Sequence, residues 1–412
     1  MFLYLTVLLR RLQKNSTKHM NYILFDGASR NSLLPFTYTR PVADVRIGIF
    51  TIREKWEKYM GSTTSTVTED YLSDKFPMVE LENNVMINAS YLPTENLVKI
   101  IKNLQSDQAI FHEDEPIAFY VKEGEEVDFD SYEVIQYNYD VFTVKNTWDI
   151  FSKNERAIKE DFELVTKGRK SQPIPESVNV INPENIFIEE GAILEFATLN
   201  AAKGPIYIGK DAEIMEGTFI RGPLALGEQA VVKMGTRIYG GTTIGPKCKA
   251  GGEINNSVMF GNSNKGHDGY MGNTVIGEWC NLGADTNTSN LKNNYAEVRL
   301  WDYEKEGFAK TGLRFCGLMM GDHSKCGINT MFNTGTVIGV SANIFGSGFP
   351  RNFIPSFSWG GNGGFTTYLT KKAFEVSRVV MERRKQEFTK EDEKIMEHIF
   401  EETKQWRKGY ES

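Results

Sequence analysis

The densest chemistry in this sequence lies between Lys265 and Ala284, in the run Lys-Gly-His-Asp-Gly-Tyr-Met-Gly-Asn-Thr-Val-Ile-Gly-Glu-Trp-Cys-Asn-Leu-Gly-Ala, and continues to Asn290. His267 supplies an imidazole, a group that ordinarily titrates near pH ~6.5 and can take or give a proton under mild conditions. A lone histidine is more often structural than catalytic, and His112 and His323 read as structural because no constellation surrounds them. His267 has company: Arg237 and Glu253 before it, Tyr270 just after, Asn281 and Asn290 beyond. Each also has a plainer use. Tyr270 can fill the core or a turn, the asparagines can be ladder residues at corners, and Arg237 can serve an ion pair.

The scaffold that must hold these residues is written in the sequence. From Ile206 the chain divides into sixes, IYIGKD, AEIMEG, TFIRGP, LALGEQ, AVVKMG, TRIYGG, TTIGPK and CKAGGE. The third positions are Ile208, Ile214, Ile220, Leu226, Val232, Ile238, Ile244 and Ala250. An apolar residue every six positions, often followed by glycine, is the hexapeptide signature of a left-handed parallel β-helix. Each hexad supplies one short strand and one turn; three hexads make a coil, and the inward aliphatics of successive coils stack. After a slip the pattern resumes at Val258, Tyr270, Ile276 and Leu282, and it returns around Ile338 and Ile344. Lys292 to Arg314 interrupts it, with Trp301-Asp302-Tyr303 inside. This reads as a loop thrown out from one corner, the kind of segment that carries function on a rigid scaffold.

Glycine divides the chain: only Gly27, Gly48, Gly61 and Gly124, of 37 in all, precede residue 166. The N-terminal part reads as α/β with a mostly parallel sheet. Its elements are a strand at Ile23–Phe25, a helix at Thr51–Met60, a strand at Val85–Ile87 and a helix opened by Pro93-Thr94-Glu95. The tail from about Thr366 reads as helical, with Leu369, Ala373, Val376 and Val380 on one face and a capping box at Thr389–Asp392. These helices are expected to cap the open end of the β-helix. The charge run Glu382–Lys385 reads as a solvated face. Residues 1–19 read as an upstream start or a disordered leader, because the apolar run Phe2–Leu9 is too short to span a bilayer. The expected domains are therefore 1–19 leader, 20–165 α/β, 166–365 β-helix and 366–412 helical tail.

Composition excludes several classes. With 40% hydrophobic and 25% charged residues the chain is ordinary for a globular protein, and a net charge of −7 argues against nucleic acid as partner. Cys248, Cys280, Cys316 and Cys326 show no Cys-x-x-Cys spacing, so they read as reduced structural thiols in a cytoplasmic protein, with no metal site and no membrane partner expected.

The run around His267 resembles the acetyltransferase domain of the bifunctional GlmU family, which makes UDP-N-acetylglucosamine. The shared elements are Gly266-His267-x-x-Tyr270-x-Gly272, then Ile276-Gly277, then Asn281-x-Gly283-Ala284, then Asn290, with Arg237 at the family's substrate arginine. The close match covers Arg237 to Asn290. The resemblance implies His267 as the general base on an amino-sugar phosphate, with Glu253 orienting it. Arg237 would hold the phosphate. Tyr270, Asn281 and Asn290 would bind the sugar, and Ala284 would lie beside acyl-CoA, its backbone helping to polarise the thioester. Asn255 stands where the family has a phosphate-binding lysine, and Leu291 replaces a family tyrosine, so Lys249 or Lys265 would supply the missing charge or the acceptor differs.

The N-terminal part resembles a shortened sugar nucleotidyltransferase in Leu24-Phe-Asp-Gly27-Ala-Ser-Arg30, Leu34-Pro35 and Arg40-Pro41. The resemblance implies that Gly27 and the amides after it cradle a triphosphate and that Arg30, Arg40 and Arg46 neutralise it. Phe36 replaces a family lysine, and Asn88-Ala-Ser90 stands where a metal-binding aspartate is expected. Together these imply a bifunctional transferase that acetylates an amino-sugar 1-phosphate with acetyl-CoA and couples it to a nucleoside triphosphate, Mg2+ serving the second step. Glucosamine 1-phosphate and UTP are the expected substrates and a homotrimer the expected assembly. The alternatives are nucleotidyl transfer alone on a β-helical trimer scaffold, and a non-enzymatic carbohydrate- or nucleotide-binding assembly protein.

Overall fold

In the computed structural model, which describes residues 20–410, the hexads become a three-faced prism of very short parallel strands. The faces hold nine, ten and eight strands. Register along the nine-stranded face is unbroken: Ile208, Leu226, Ile244, Met259, Ile276, Met320, Ile338 and Ile354 follow one another as paired neighbours. All of them are buried in one aliphatic core. Burying such side chains is the main favourable term, at about 25 cal/mol per Å². The slip after Ala250 corrects the expected phase. Met259 and Met271 point inward; Val258 packs outward with the N-terminal domain, and Tyr270 stands on the outer surface. Side chains alternate along a strand, so a one-residue error exchanges inside for outside.

The N-terminal sheet has six strands in the order Thr64–Val67, Asn21–Phe25, Asn83–Asn88, Glu115–Lys122, Gln108–His112, Glu133–Gln136. The first three are parallel. Glu115–Lys122 runs against both of its neighbours, so the sheet is mixed, not mostly parallel. The cause is local. Only Glu113 and Asp114 separate two of these strands, and so short a connection joins antiparallel partners. The helix Ile52–Met60 starts at a capping box of Thr51 and Glu54 and ends at Gly61 in a left-handed conformation. This domain lies against the nine-stranded face. Phe36 packs on Phe260 at 5.2 Å, and the Asn154 amide donates to Gly241 O at 2.8 Å.

The interruption at 292–314 contains a hairpin, Arg299–Asp302 against Gly307–Lys310. The tail begins as a strand, with Gly364–Thr367 paired to Ser358–Gly361. Helices Thr370–Glu382 and Lys390–Glu402 follow, the second opened by the expected Thr389–Asp392 box. Instead of sitting over the open end, they lie along the flank and tie the two domains. Lys394 meets Asp74 at 2.8 Å, and Tyr71 stacks on His398 at 3.9 Å. The last coil is met by the short segment after the helices, where Arg407 donates to Ser356 O at 2.9 Å. All four cysteines are free and buried. Among the described residues no helix is long and apolar enough to cross a membrane. The expected leader, 1–19, lies outside the described residues.

Candidate functional site

The turn that carries His267 is fixed from beneath by an unusual core residue. Lys265 occupies an inward position, paired with Ala250 of the coil before it, and is only 1% exposed. An ammonium in an aliphatic stack must be satisfied, and it is. Its Nζ donates to the carbonyls of Gly251 (3.3 Å), His267 (2.6 Å) and Asp268 (2.9 Å). Burial pulls its pKa down to about 8, with Asp268 acting in the opposite sense. The lysine thus ties the backbone of the His267 turn to the neighbouring coil. Glycine closes the turn: Gly269 has φ +112°, and a Cβ there would stand 2.2 Å from Thr286 O.

Two faces meet at this corner. On the eight-stranded face Arg237, Glu253 and Tyr270 form one column in register. Arg237 Nε lies 3.6 Å from Glu253 Oε2, so the carboxylate pairs with arginine and not with the imidazole. Asn290 donates to Tyr270 OH at 3.0 Å and to Asn273 Oδ1 at 2.7 Å. Asn255 stands two residues along the same strand from Glu253, opposite Gly272. On the ten-stranded face the outer column runs Val231, Lys249, Asn264, Asn281, Lys325. Between this face and the end of helix Thr370–Glu382 lies a cleft of about 900 Å³, lined by His267, Asn281 and Ala284. The structure therefore divides the expected residues: His267, Asn281 and Ala284 share the cleft, while Arg237, Glu253, Asn255, Tyr270 and Asn290 occupy the adjoining face.

The sequence reading missed most of the cleft's charge. Lys233, Lys249, Lys325, Arg383 and Arg384 line it, and no aspartate or glutamate does. Arg384 is no solvated bystander: it donates to Lys247 O and, at 2.9 Å, to Asn264 Oδ1. Lys233 and Lys249 were legible as outward positions of the hexads. The two arginines were not, because helix docking alone brings them to the cleft.

The N-terminal candidates sit in a different environment. A Cβ on Gly27 would fall 2.7 Å from the side chain of Asn88, so the space over the loop is filled. Arg30 is buried, with Nη2 donating to Thr37 O and Tyr71 OH at 2.9 and 2.8 Å, and with Asp26 at 3.3 Å. Arg40 is buried between Asp322, in direct contact, and Glu278 at 3.3 Å. Burial works against its charge, but the two carboxylates outweigh it and hold its pKa above the usual value. Arg46 donates to Ile49 O at 2.7 Å. Asp26 accepts from Val42 N and Thr68, and burial raises its pKa. Asn88 donates to Glu115, which is itself paired with Lys145. Among the described residues no group of three or more His, Cys, Asp or Glu side chains could hold a metal ion. The donors near Gly27 therefore do not fit a resident Mg2+.

Residues 22–170 match the family model described as sugar nucleotidyl transferase. A bifunctional sugar-1-phosphate nucleotidylyltransferase/acetyltransferase from Sulfurisphaera tokodaii is 30% identical over 234 residues, 52% of this chain and 56% of the relative. The bifunctional protein GlmU of Methanocaldococcus jannaschii is 29% identical over 206 residues, 48% of this chain and 41% of the relative. The chain thus spans about half the length of these curated relatives. Among solved structures, the polySia-specific acetyltransferase NeuO aligns with 46% of this chain and 85% of its own, at 12% identity and a TM-score of 0.23. The named relatives of this chain are transferases; it joins a segment that matches the sugar nucleotidyl transferase model to a hexapeptide-type β-helix, and it resembles GlmU-like bifunctional proteins over about half its length.

Proposed function

We propose that this chain is a bifunctional transferase of nucleotide-sugar synthesis whose β-helix transfers an acetyl group from acetyl-CoA to the amine of glucosamine 1-phosphate. One observation carries the reading: a cleft with five cationic side chains and no carboxylate runs up to His267. Such a wall suits the phosphates of acyl-CoA. In the proposed reaction the acceptor nitrogen attacks the thioester carbonyl, a C–N bond forms, the C–S bond breaks, and His267 takes the amine proton. Arg237 binds the sugar phosphate, while Tyr270, Asn290, Asn255 and Asn281 hold the sugar. The backbone beside Ala284 faces the thioester. Glu253 fixes Arg237, a role the 3.6 Å pairing supports. The N-terminal domain would then couple the product to UTP, the sugar phosphate oxygen attacking the α-phosphorus and pyrophosphate leaving. That half rests on the family match, and the partnered state of Arg30 and Arg40 favours acyl transfer as the better-supported activity.

The proposed assembly is a cytoplasmic homotrimer. Phe219 (58% exposed) shares the column of Arg237 and Tyr270, and Met234 (67%) and Ile328 (69%) flank the corner of His267. Apolar side chains so placed suit a second copy of the prism, which would bring the two halves of the divided site together. The test is release of free thiol from acetyl-CoA with glucosamine 1-phosphate, for wild type and His267→Ala. Release that His267→Ala abolishes supports the reading. No release with any amino-sugar phosphate, or a monomer by light scattering, overturns it.

A further inference from the structure

The insertion that interrupts the repeat builds a second cavity, of about 780 Å³, which shares no lining residue with the cleft at His267. Its hairpin sets Arg299 and Trp301 on one face, opposite Lys310 and Phe308. That face looks across to Arg351 and Phe353 on the last coil and to Trp406 from the C-terminal segment.

Two properties of the wall define what it can hold. Lys292, Arg299 and Arg351 contribute positive charge, and no aspartate or glutamate lines the cavity. Lys292 donates to the Glu297 carbonyl at 3.1 Å and Arg351 lies over the Phe365 ring, but among the described residues none of the three has a carboxylate partner. Three cations left together without a counter-ion make an anion site. The rest of the wall is aromatic. Trp301 stacks on Phe353 at 4.0 Å, Phe308 meets Trp301 edge-on at 5.5 Å, and Phe308 is 46% exposed. The Trp301 indole Nε1 is buried without a hydrogen-bond partner. Open ring faces beside guanidinium groups are how proteins take a flat base and its phosphates together. The volume lies within the ordinary range of small-ligand sites, roughly 300–1,000 Å³.

We propose that this cavity is a binding site for a nucleoside diphosphate, with the base against Phe308 and Trp406 and the phosphates on Arg299 and Arg351. The assignment stands apart from the acyl-transfer reading and survives its failure. Titration calorimetry with UDP and ADP as probes tests it, using the full chain and the variants Phe308→Ala, Arg351→Ala and Lys210→Ala, with glucose 1-phosphate and pyrophosphate as ligands lacking a base. Both Phe308 and Arg351 are exposed, so the variants should melt as the wild type does. The expected result is that Phe308→Ala and Arg351→Ala each weaken diphosphate binding by about tenfold or more, while Lys210→Ala, an exposed lysine remote from both cavities, leaves it unchanged. Binding unaltered in both cavity variants, or no binding at all, overturns the site. Glucose 1-phosphate or pyrophosphate binding there as tightly as UDP overturns the base contact.

Discussion

Basic side chains meet opposite fates in the two halves of this molecule. In the N-terminal domain Arg30, Arg40 and Arg46 are enclosed by acceptors of their own chain, and Arg40 reaches across the domain boundary to Asp322. In the β-helix cleft Lys233, Lys249 and Arg383 have no carboxylate partner among the described residues. A buried charge persists only when paired or hydrogen-bonded. A group of exposed like charges raises the local potential and draws an anion from solution. The sign of the charge is the same in both places; availability separates an element that holds domains together from one that binds a ligand.

The comparison is broken or sharpened most strongly at its two extremes. His267→Ala is expected to slow acetyl transfer by about 10²–10⁴-fold with the melting temperature unchanged, measured by thiol release and calorimetry. A loss of stability in place of rate would return His267 to the structural class. Arg40→Ala should do the reverse. It leaves Asp322 buried and unpaired, costing about 3–5 kcal/mol in urea unfolding, with little direct effect on the acyl-CoA KM. Intermediate in size, Lys249→Ala and Arg383→Ala should each raise the KM for acetyl-CoA about tenfold while moving stability by less than about 0.5 kcal/mol. A KM that does not move would remove these cations from the donor site.

The smallest expected effects concern pH. Lys265 has its pKa lowered to about 8 from 10.5 in the folded chain. The unfolded chain therefore holds the extra proton between those values, and wild-type stability should rise relative to Lys265→Met as pH climbs through that window. The same variant should lower kcat more than it raises KM, because the lysine holds the His267 turn and touches no substrate. His323 gives the matching test at the domain seam. It is buried beside Trp279 and Phe388, and burial, then Lys325, Lys75 and Arg40, keep its pKa well below 6.5. The unfolded state takes the proton first, so stability should fall as pH drops below 6.5, and His323→Gln should flatten that part of the curve in pH-dependent unfolding.

Much of the scaffold was legible because its signals are local. A hexad needs only its own six residues to place an apolar side chain inward, and the register from Ile208 to Ile244 follows from repetition. The boxes Thr51–Glu54 and Thr389–Asp392 are likewise closed within one turn of chain. The phase after Ala250 was not legible, since a shortened coil changes which residue faces inward and nothing local marks the change. That is why Tyr270 was a core candidate and Lys265 was not read as core.

By itself the sequence determined the β-helix, the α/β start, the helical tail and the motif from Arg237 to Asn290, because each depends on spacing within a few tens of residues. Only tertiary structure decided which charges were free. The partner of Arg40 lies 282 residues away, and the arginines over the cleft arrive on a helix that docks from the far end of the chain. Charge pairing at such separations depends on how whole elements pack, and no local pattern encodes it.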